Sequence, residues 1–228
     1  MPEVKLVDIA SYYKGLPHQK EALQLLQLAM PDSLLKKDSV WHQRWQEESV
    51  QAKGVITPEL MHDITGYRAS SFDHVFCDDF NRMLSDTRFS EHKEAEEMLI
   101  ANILHETGGM IYFKEIASGQ AYEGRTDLGN TRPGDGPRFK GAGCLQLTGR
   151  YNYSRLAEAL NDERVMEGVN YVADAHPFTS AETWIEENNL LDVCLNDGFE
   201  AACIRINGGR NGMNDRHRWY SIVKKAMN

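Results

Sequence analysis

The sequence predicts a mainly α-helical protein, and three observations predict it. Apolar residues recur at helical spacing through most of the chain. Capping and breaking residues stand at the ends of those stretches. The composition, 41% hydrophobic and 26% charged, is that of a globular domain. A chain of 228 residues has room for one sizeable core, or one core plus a small accessory. It has no internal repeat and no low-complexity segment.

Residues 1–55 read as a helical lead-in. Ala22, Leu23, Leu26, Ala29 and Met30 recur at helical spacing before Pro31, and Trp41 and Trp45 stand four apart. That face is expected to pack; the sharper alternative is a small wall-binding module. Gly54 marks the boundary, and residues 56–228 form the main domain. Thr57-Pro58-Glu59 opens a helix with an N-cap, a proline at the first position and an acid in the first turn. Phe72, Phe76, Phe80, Met83 and Leu84 make an amphipathic stripe. Ser90 is expected to cap the next helix, whose core face is Ala95, Leu99 and Ile103 and whose stop is Gly108-Gly109. From Met110 to Gly149 the chain reads as a long loop, with short strands possible at Tyr112–Phe113 and Leu145–Leu147. A loop of that length in a compact domain is usually functional. Helices resume at Tyr151–Leu160, Ser180–Asn188, Asp197–Ile206 and Asn214–Ala226.

Net charge is −9, which argues against nucleic-acid binding in general. The end of the chain is different: Arg205, Arg210, Arg216, Arg218, Lys224 and Lys225 face Asp215 alone. Those cations either rest on an anionic surface or form a solvated helix end. Cys77, Cys144, Cys194 and Cys203 fit no zinc spacing and are expected to be free thiols. No signal peptide is read at Met1–Lys5, and no apolar run is long enough for stable membrane insertion.

The chemistry concentrates between His105 and Asn152. Glu106 shares a helix face with Leu99 and Ile103, in the last turn of that helix. Burial and the helix dipole there both favour the protonated carboxyl, which suits a general acid. The alternative is a buried glutamate neutralised by a partner such as an arginine. A second carboxylate is available in Glu115, Glu123 or Asp127. Two carboxyl groups flanking a sugar linkage are what glycoside hydrolysis requires, with ~6.5–9.5 Å between them in an inverting enzyme. Asp127 is expected to pair with an arginine and shape the loop. Gln146 and Thr148, flanked by Gly141, Gly143 and Gly149, are expected on one side of a short strand, offering polar groups to sugar or water. His105-Glu106 lacks the second histidine of a zinc protease helix, because position 109 is glycine. Cys144 is expected to be an apolar loop cysteine rather than a nucleophile.

The segments His105-Glu106-Thr107-Gly108-Gly109 and Gln146-Leu147-Thr148-Gly149-Arg150-Tyr151-Asn152-Tyr153 resemble the signatures of glycoside hydrolase family 19. The arm from Tyr122 to Thr131 and the turn Ile206-Asn207-Gly208-Gly209 resemble its phage endolysin branch. The resemblance spans about Thr57 to Tyr220. It implies a mainly helical, lysozyme-like fold with a small β or loop region at the groove, and an inverting hydrolase of β-1,4-linked N-acetylated sugars. It further implies Glu106 as general acid and Glu115 as general base. Gln146, Thr148, Tyr151, Asn152 and Asn207 would be substrate contacts. Where the family usually carries Gly-Arg-Gly, this chain has Gly141-Ala142-Gly143. Peptidoglycan strands are the expected partner, with chitin and a non-catalytic wall-binding role as alternatives. No cofactor or metal is expected, and the chain is expected to act as a monomer. Synthesis in a host cytoplasm with holin-assisted release is the expectation for such lysins, with a virion-attached form as the alternative.

Overall fold

One helix lies inside the domain and the others are laid around it. In the computed structural model, which describes residues 54–228, that helix runs from Lys93 to Glu106. Ten consecutive residues, Ala95 to Leu104, are buried. A helix apolar on one face alone would leave half of these wet; one buried all round belongs in a core. The expected stripe of Ala95, Leu99 and Ile103 is therefore only part of what this helix buries.

Numbering the helices along the described residues, α1 is Pro58–Thr65, α2 His74–Asp86 and α3 the central Lys93–Glu106. A short α4, Asp135–Arg138, lies in the long loop, and α5 is Arg150–Leu160. Then come α6 Val169–Ala175, α7 Glu182–Glu187, α8 Leu190–Asn196, α9 Phe199–Asn207 and α10 Met213–Ala226. The mainly α expectation holds. The two possible strands are not formed among the described residues. Only single bridges pair Lys114 with Ala142 and Ala142 with Leu147.

The local reasons are those the sequence offered at α1, where Thr57 accepts a hydrogen bond from the Leu60 amide at 3.1 Å and Pro58 opens the helix. They fail at α3. Ser90 does not cap it; Phe89–Glu91 forms a 3-10 turn that buries Phe89, and α3 starts after His92 with no side-chain cap. Burial of the aromatic outranks a cap worth about 1 kcal/mol.

Two apolar clusters fill the domain. The larger surrounds α3 with α1, α2, α9 and α10. Its densest part is aromatic: Phe80 stacks on Phe178 with ring centroids 3.9 Å apart, and Phe76 meets Phe178 and Phe113 edge-on. Asp79 is buried beside this stack, where it accepts hydrogen bonds from the Phe178 and Thr179 amides at 2.7 and 3.2 Å and from the Thr179 hydroxyl at 2.8 Å. Burial raises its affinity for a proton and these donors oppose that push. The smaller cluster, Phe139, Ala142, Tyr153, Leu156, Val165 and Val172 among its members, supports the long loop from beneath. None of the described helices is long and apolar enough to cross a membrane. Residues 1–53 of the lead-in, with its Leu and Trp faces, lie outside the described residues.

Candidate active site

The end of α3 meets the inner face of α10. Arg216 lies on that face, 1% exposed, with one guanidinium nitrogen on the Asn102 side-chain oxygen at 2.6 Å and another on the Glu106 carboxylate. The Glu106 side chain is 25% exposed. Of the two readings of Glu106, the carboxylate paired with an arginine is the one observed. Glu106 is the last residue of α3 and is partly open, and a buried cation holds one of its oxygens. The second oxygen makes no hydrogen bond among the described residues. A carboxyl held on one side and open on the other is positioned and still reachable.

His105 faces a different partner. Its Nδ1 lies 2.8 Å from Asp215, which also accepts two hydrogen bonds from Arg218. Burial pushes Asp215 up, but His105 and Arg218 together hold it below the usual carboxylate range. A side chain at Gly212 would run into the His105 ring at 2.4 Å, so the turn before α10 is pressed against the end of α3. His105 is thus a clamp between α3 and α10.

Glu115 is fastened to the loop opposite. Its amide donates to the Gly141 carbonyl and its Oε2 accepts from the Gly141 amide, both at 2.9 Å, while its Oε1 accepts from the Tyr122 hydroxyl at 3.2 Å. Burial, and then the charge of Glu115, raise the Tyr122 phenol, so it stays a donor. A β-carbon at Gly141 would fall 2.5 Å from Gln146 Oε1 and 3.2 Å from Glu115 Oε2. Gln146 and Glu115 therefore converge on one point where only hydrogen fits.

The rival second carboxylates are spoken for. Glu123 accepts from the Gly134 amide at 2.7 Å and the Gly136 amide at 2.8 Å, one bond to each oxygen. Asp127 pairs with Arg125, its side chain well exposed. Both hold the shape of the arm, as expected for Asp127. Asn130, fully buried, ties that arm to α5: it donates to the Tyr122 carbonyl and accepts from the Arg150 amide, at 2.9 and 2.8 Å. Arg150 forks onto Asp135 at 2.8 and 2.5 Å and lies over the Phe139 ring. That pair holds Asp135 well below the usual carboxylate range.

The polar ladder exists in another form from the one expected. Gln146 is not in a strand but in a turn at φ 55°, the left-handed region that costs a non-glycine residue strain. Its amide nitrogen donates to the Gly143 carbonyl at 3.1 Å. The Thr148 hydroxyl donates to the Gln146 carbonyl, and the Asn152 amide to the Thr148 carbonyl, each at 2.8 Å. Gln146, Thr148 and Asn152 are thus linked through backbone oxygens. Ala142, at the position where a basic residue was looked for, is fully buried in the smaller cluster. Tyr151 is 59% exposed at the start of α5, and Asn207 is exposed at the end of α9. Neither is hydrogen-bonded to the two glutamates.

Arg216, Asn102, Tyr122 and Asn130 were not singled out as site residues from the sequence. Arg216 carried a signal: with Met213, Tyr220 and Val223 it shares the apolar face of its helix, where a lone cation needs a buried anion. Three of the six cations at the end of the chain are in ion pairs, and a fourth bonds a carbonyl. Arg205 donates to the Asn188 carbonyl, Arg210 pairs with Glu200, Arg216 with Glu106 and Arg218 with Asp215. The four cysteines are free and buried, and burial pushes the Cys144 thiol far above the range in which it would act as a nucleophile. Among the described residues no group of His, Cys, Asp or Glu is arranged to hold a metal ion.

No family model matches the chain. It is 25% identical over 168 residues to a glycosyl hydrolase family 19 domain-containing protein of Haemophilus influenzae, covering 60% of this chain and 82% of that protein. It is 32% identical over 134 residues to basic endochitinase CHB4 of Brassica napus, and 27% over 139 residues to acidic endochitinase SP2 of Beta vulgaris. The chain spans about half the length of these two plant proteins. In fold it is similar to chitinase C of Streptomyces griseus, with a TM-score of 0.52, 18% identity, and coverage of 78% of this chain and 95% of that one. A bacterial family 19 chitinase matches at 0.53, again 18% identical, over 74% of this chain and 95% of that one.

Proposed function

We propose, from the likeness of the chain in sequence and in fold to family 19 glycoside hydrolases, that it is a hydrolase of β-1,4-linked N-acetylated sugars that acts on peptidoglycan. The observation that carries the reading is the pair of carboxylates at the two ends of residues 106–115. Glu106 offers an open oxygen at the end of α3, and Glu115 is aimed by Tyr122 and the Gly141 amide.

In this mechanism Glu106 gives its proton to the glycosidic oxygen as the bond from that oxygen to the anomeric carbon breaks. A sugar seated on the open side of Glu106 brings its glycosidic oxygen to the carboxyl oxygen that Arg216 does not hold. Glu115 takes a proton from a water whose oxygen bonds to the anomeric carbon from the opposite face, so the configuration inverts. Arg216 holds Glu106 in place throughout. Gln146, Thr148 and Asn152 line the same wall as Glu115 and position water and sugar hydroxyls, with Tyr151 and Asn207 as outer contacts. The residues alone supply the acid, the base and the orientation.

The arm from Tyr122 to Thr131, which resembles that of phage endolysins, supports peptidoglycan over chitin as substrate and release into the wall of a bacterial host. Chitin is the second reading, favoured by the names of the plant relatives. Purified peptidoglycan and N-acetylglucosamine oligomers, digested side by side, decide it. Mass spectrometry should find new reducing ends from peptidoglycan, and proton NMR should show them released first as the inverted anomer. Cleavage confined to the N-acetylglucosamine oligomers rejects the substrate assigned here.

A further inference from the structure

A cavity of about 350 Å³ opens beside the segment that joins the two glutamates. Met110 and Phe113 of that segment form one wall, and Tyr67 and Phe72 from the stretch between α1 and α2, with Phe76 from the first turn of α2, contribute aromatic surface. Two carboxylates, Asp73 and Asp174, stand in its lining, and no Lys, Arg or His does. Phe113 is fixed: its carbonyl accepts from the Gly143 amide at 2.8 Å, beside the Lys114–Ala142 bridge, and its ring packs edge-on against Phe76. The cavity and the candidate catalytic pair therefore share one rigid connection.

Resting on the peptidoglycan reading above, we propose that this cavity binds the side chain of a diamino acid in the peptide stem carried by the glycan, an alkyl chain ending in a primary ammonium. The chemistry of the lining selects that occupant. Aromatic and methionine surface takes up methylene groups and attracts a cation above the rings. The acids supply the countercharge. Asp73 Oδ1 caps α2 through the Phe76 amide at 2.9 Å, and its other oxygen makes no hydrogen bond among the described residues. Asp174 has one cation, Lys114 at 2.9 Å, in a pair exposed enough to exchange its partner. Two acids against one lysine leave the cavity short of one positive charge. An unsubstituted chitin strand has only neutral N-acetyl groups to offer such a place. A stem peptide, tethered to the sugar being cut, carries such an ammonium. The cavity would thus distinguish stem-bearing strands from bare ones.

The test uses the full chain and a short stem-like peptide with one free lysine ε-ammonium, beside its ε-acetylated twin, read by NMR on the Tyr67, Phe72 and Phe113 rings. The free ammonium form should bind roughly tenfold more tightly, the scale of a charge-assisted contact. Asp73→Asn, which keeps the helix cap, and Asp174→Asn should each narrow that gap severalfold. In turnover, the same variants should raise the KM ratio of stem-bearing to stem-free substrate. Equal binding of the two peptides overturns the proposal, as does preferential binding of a glucosamine oligomer, which would place a sugar amine there instead. Selective peptide binding by a protein that cleaves no glycan would sink the hydrolase reading and leave this one standing. Cleavage without ammonium selectivity does the reverse.

Discussion

Arg216 reaches Glu106 across the seam between α10 and α3, and the same guanidinium holds Asn102 one turn back along α3. Asn102 in turn donates to the Met98 carbonyl at 2.9 Å, so the site is anchored to the most deeply buried helix of the domain. Removing the cation strands a carboxylate and an amide. Arg216→Met should cost about 1.5–3 kcal/mol of stability, the scale of hydrogen bonds to a charged group, because Glu106 stays open to water on one side. In a double-mutant cycle with Glu106→Gln the losses should fall well short of adding, by roughly 1–3 kcal/mol. Thermal or urea unfolding of the four proteins reads this, and additive losses would show that the pair is not coupled.

Glu115 and Glu123 separate by what each mutation damages. Glu115→Gln should lower kcat by about a hundredfold or more, the scale of a lost general base, with an almost unchanged melting temperature. Glu123→Gln should cost roughly 1–3 kcal/mol of stability, because it accepts two backbone amides that an amide side chain cannot both satisfy. Its kcat per folded molecule should stay near that of the native chain. The opposite pattern reassigns the base.

Stability should depend on pH through a residue remote from the chemistry. Glu182 has a buried oxygen without a partner, and burial, with Asp86 adding to it, pushes its carboxyl up to about 8. The folded state then keeps a proton that the unfolded state releases near 4.5, so folding weakens as pH rises between those values and the full penalty is present above about 8. Glu182→Gln removes that slope. At about 1.4 kcal/mol per pH unit separating the two proton affinities, the gain on the alkaline side has an upper bound of roughly 5 kcal/mol. Urea titrations of both proteins across this window measure it. Parallel curves would mean that Glu182 is not the source.

The sequence made some of this architecture plain and hid the rest for physical reasons. The Phe72-to-Leu84 stripe and the Thr57-Pro58 start depend on neighbours within a few residues, and they formed as expected. The short α6 and α8 were not read, since seven residues carry too little periodicity to stand out from loop. Gln146 and Thr148 looked like a strand because polar and apolar residues alternate there, but the left-handed Gln146 closes a turn and leaves only the bridge of Ala142 to Leu147. At the site, Glu106 stood out through its motif and its place at a helix end. An arginine was held open as its partner, but nothing local singled out Arg216, which lies 110 residues on in the chain. Glu123 was held as the rival to Glu115; its oxygens accept from the Gly134 and Gly136 amides, and those of Glu115 from the Tyr122 hydroxyl and the Gly141 amide.

The account comes down to the open oxygen of Glu106. Glu106→Gln keeps the shape and a contact to Arg216 but has no proton of the right acidity to give. Turnover of purified peptidoglycan by that variant, with circular dichroism to confirm the fold, is the most direct measurement. The account predicts a native-like spectrum and activity lower by at least about a thousandfold. Glycan cleavage within a few-fold of the native rate would contradict it.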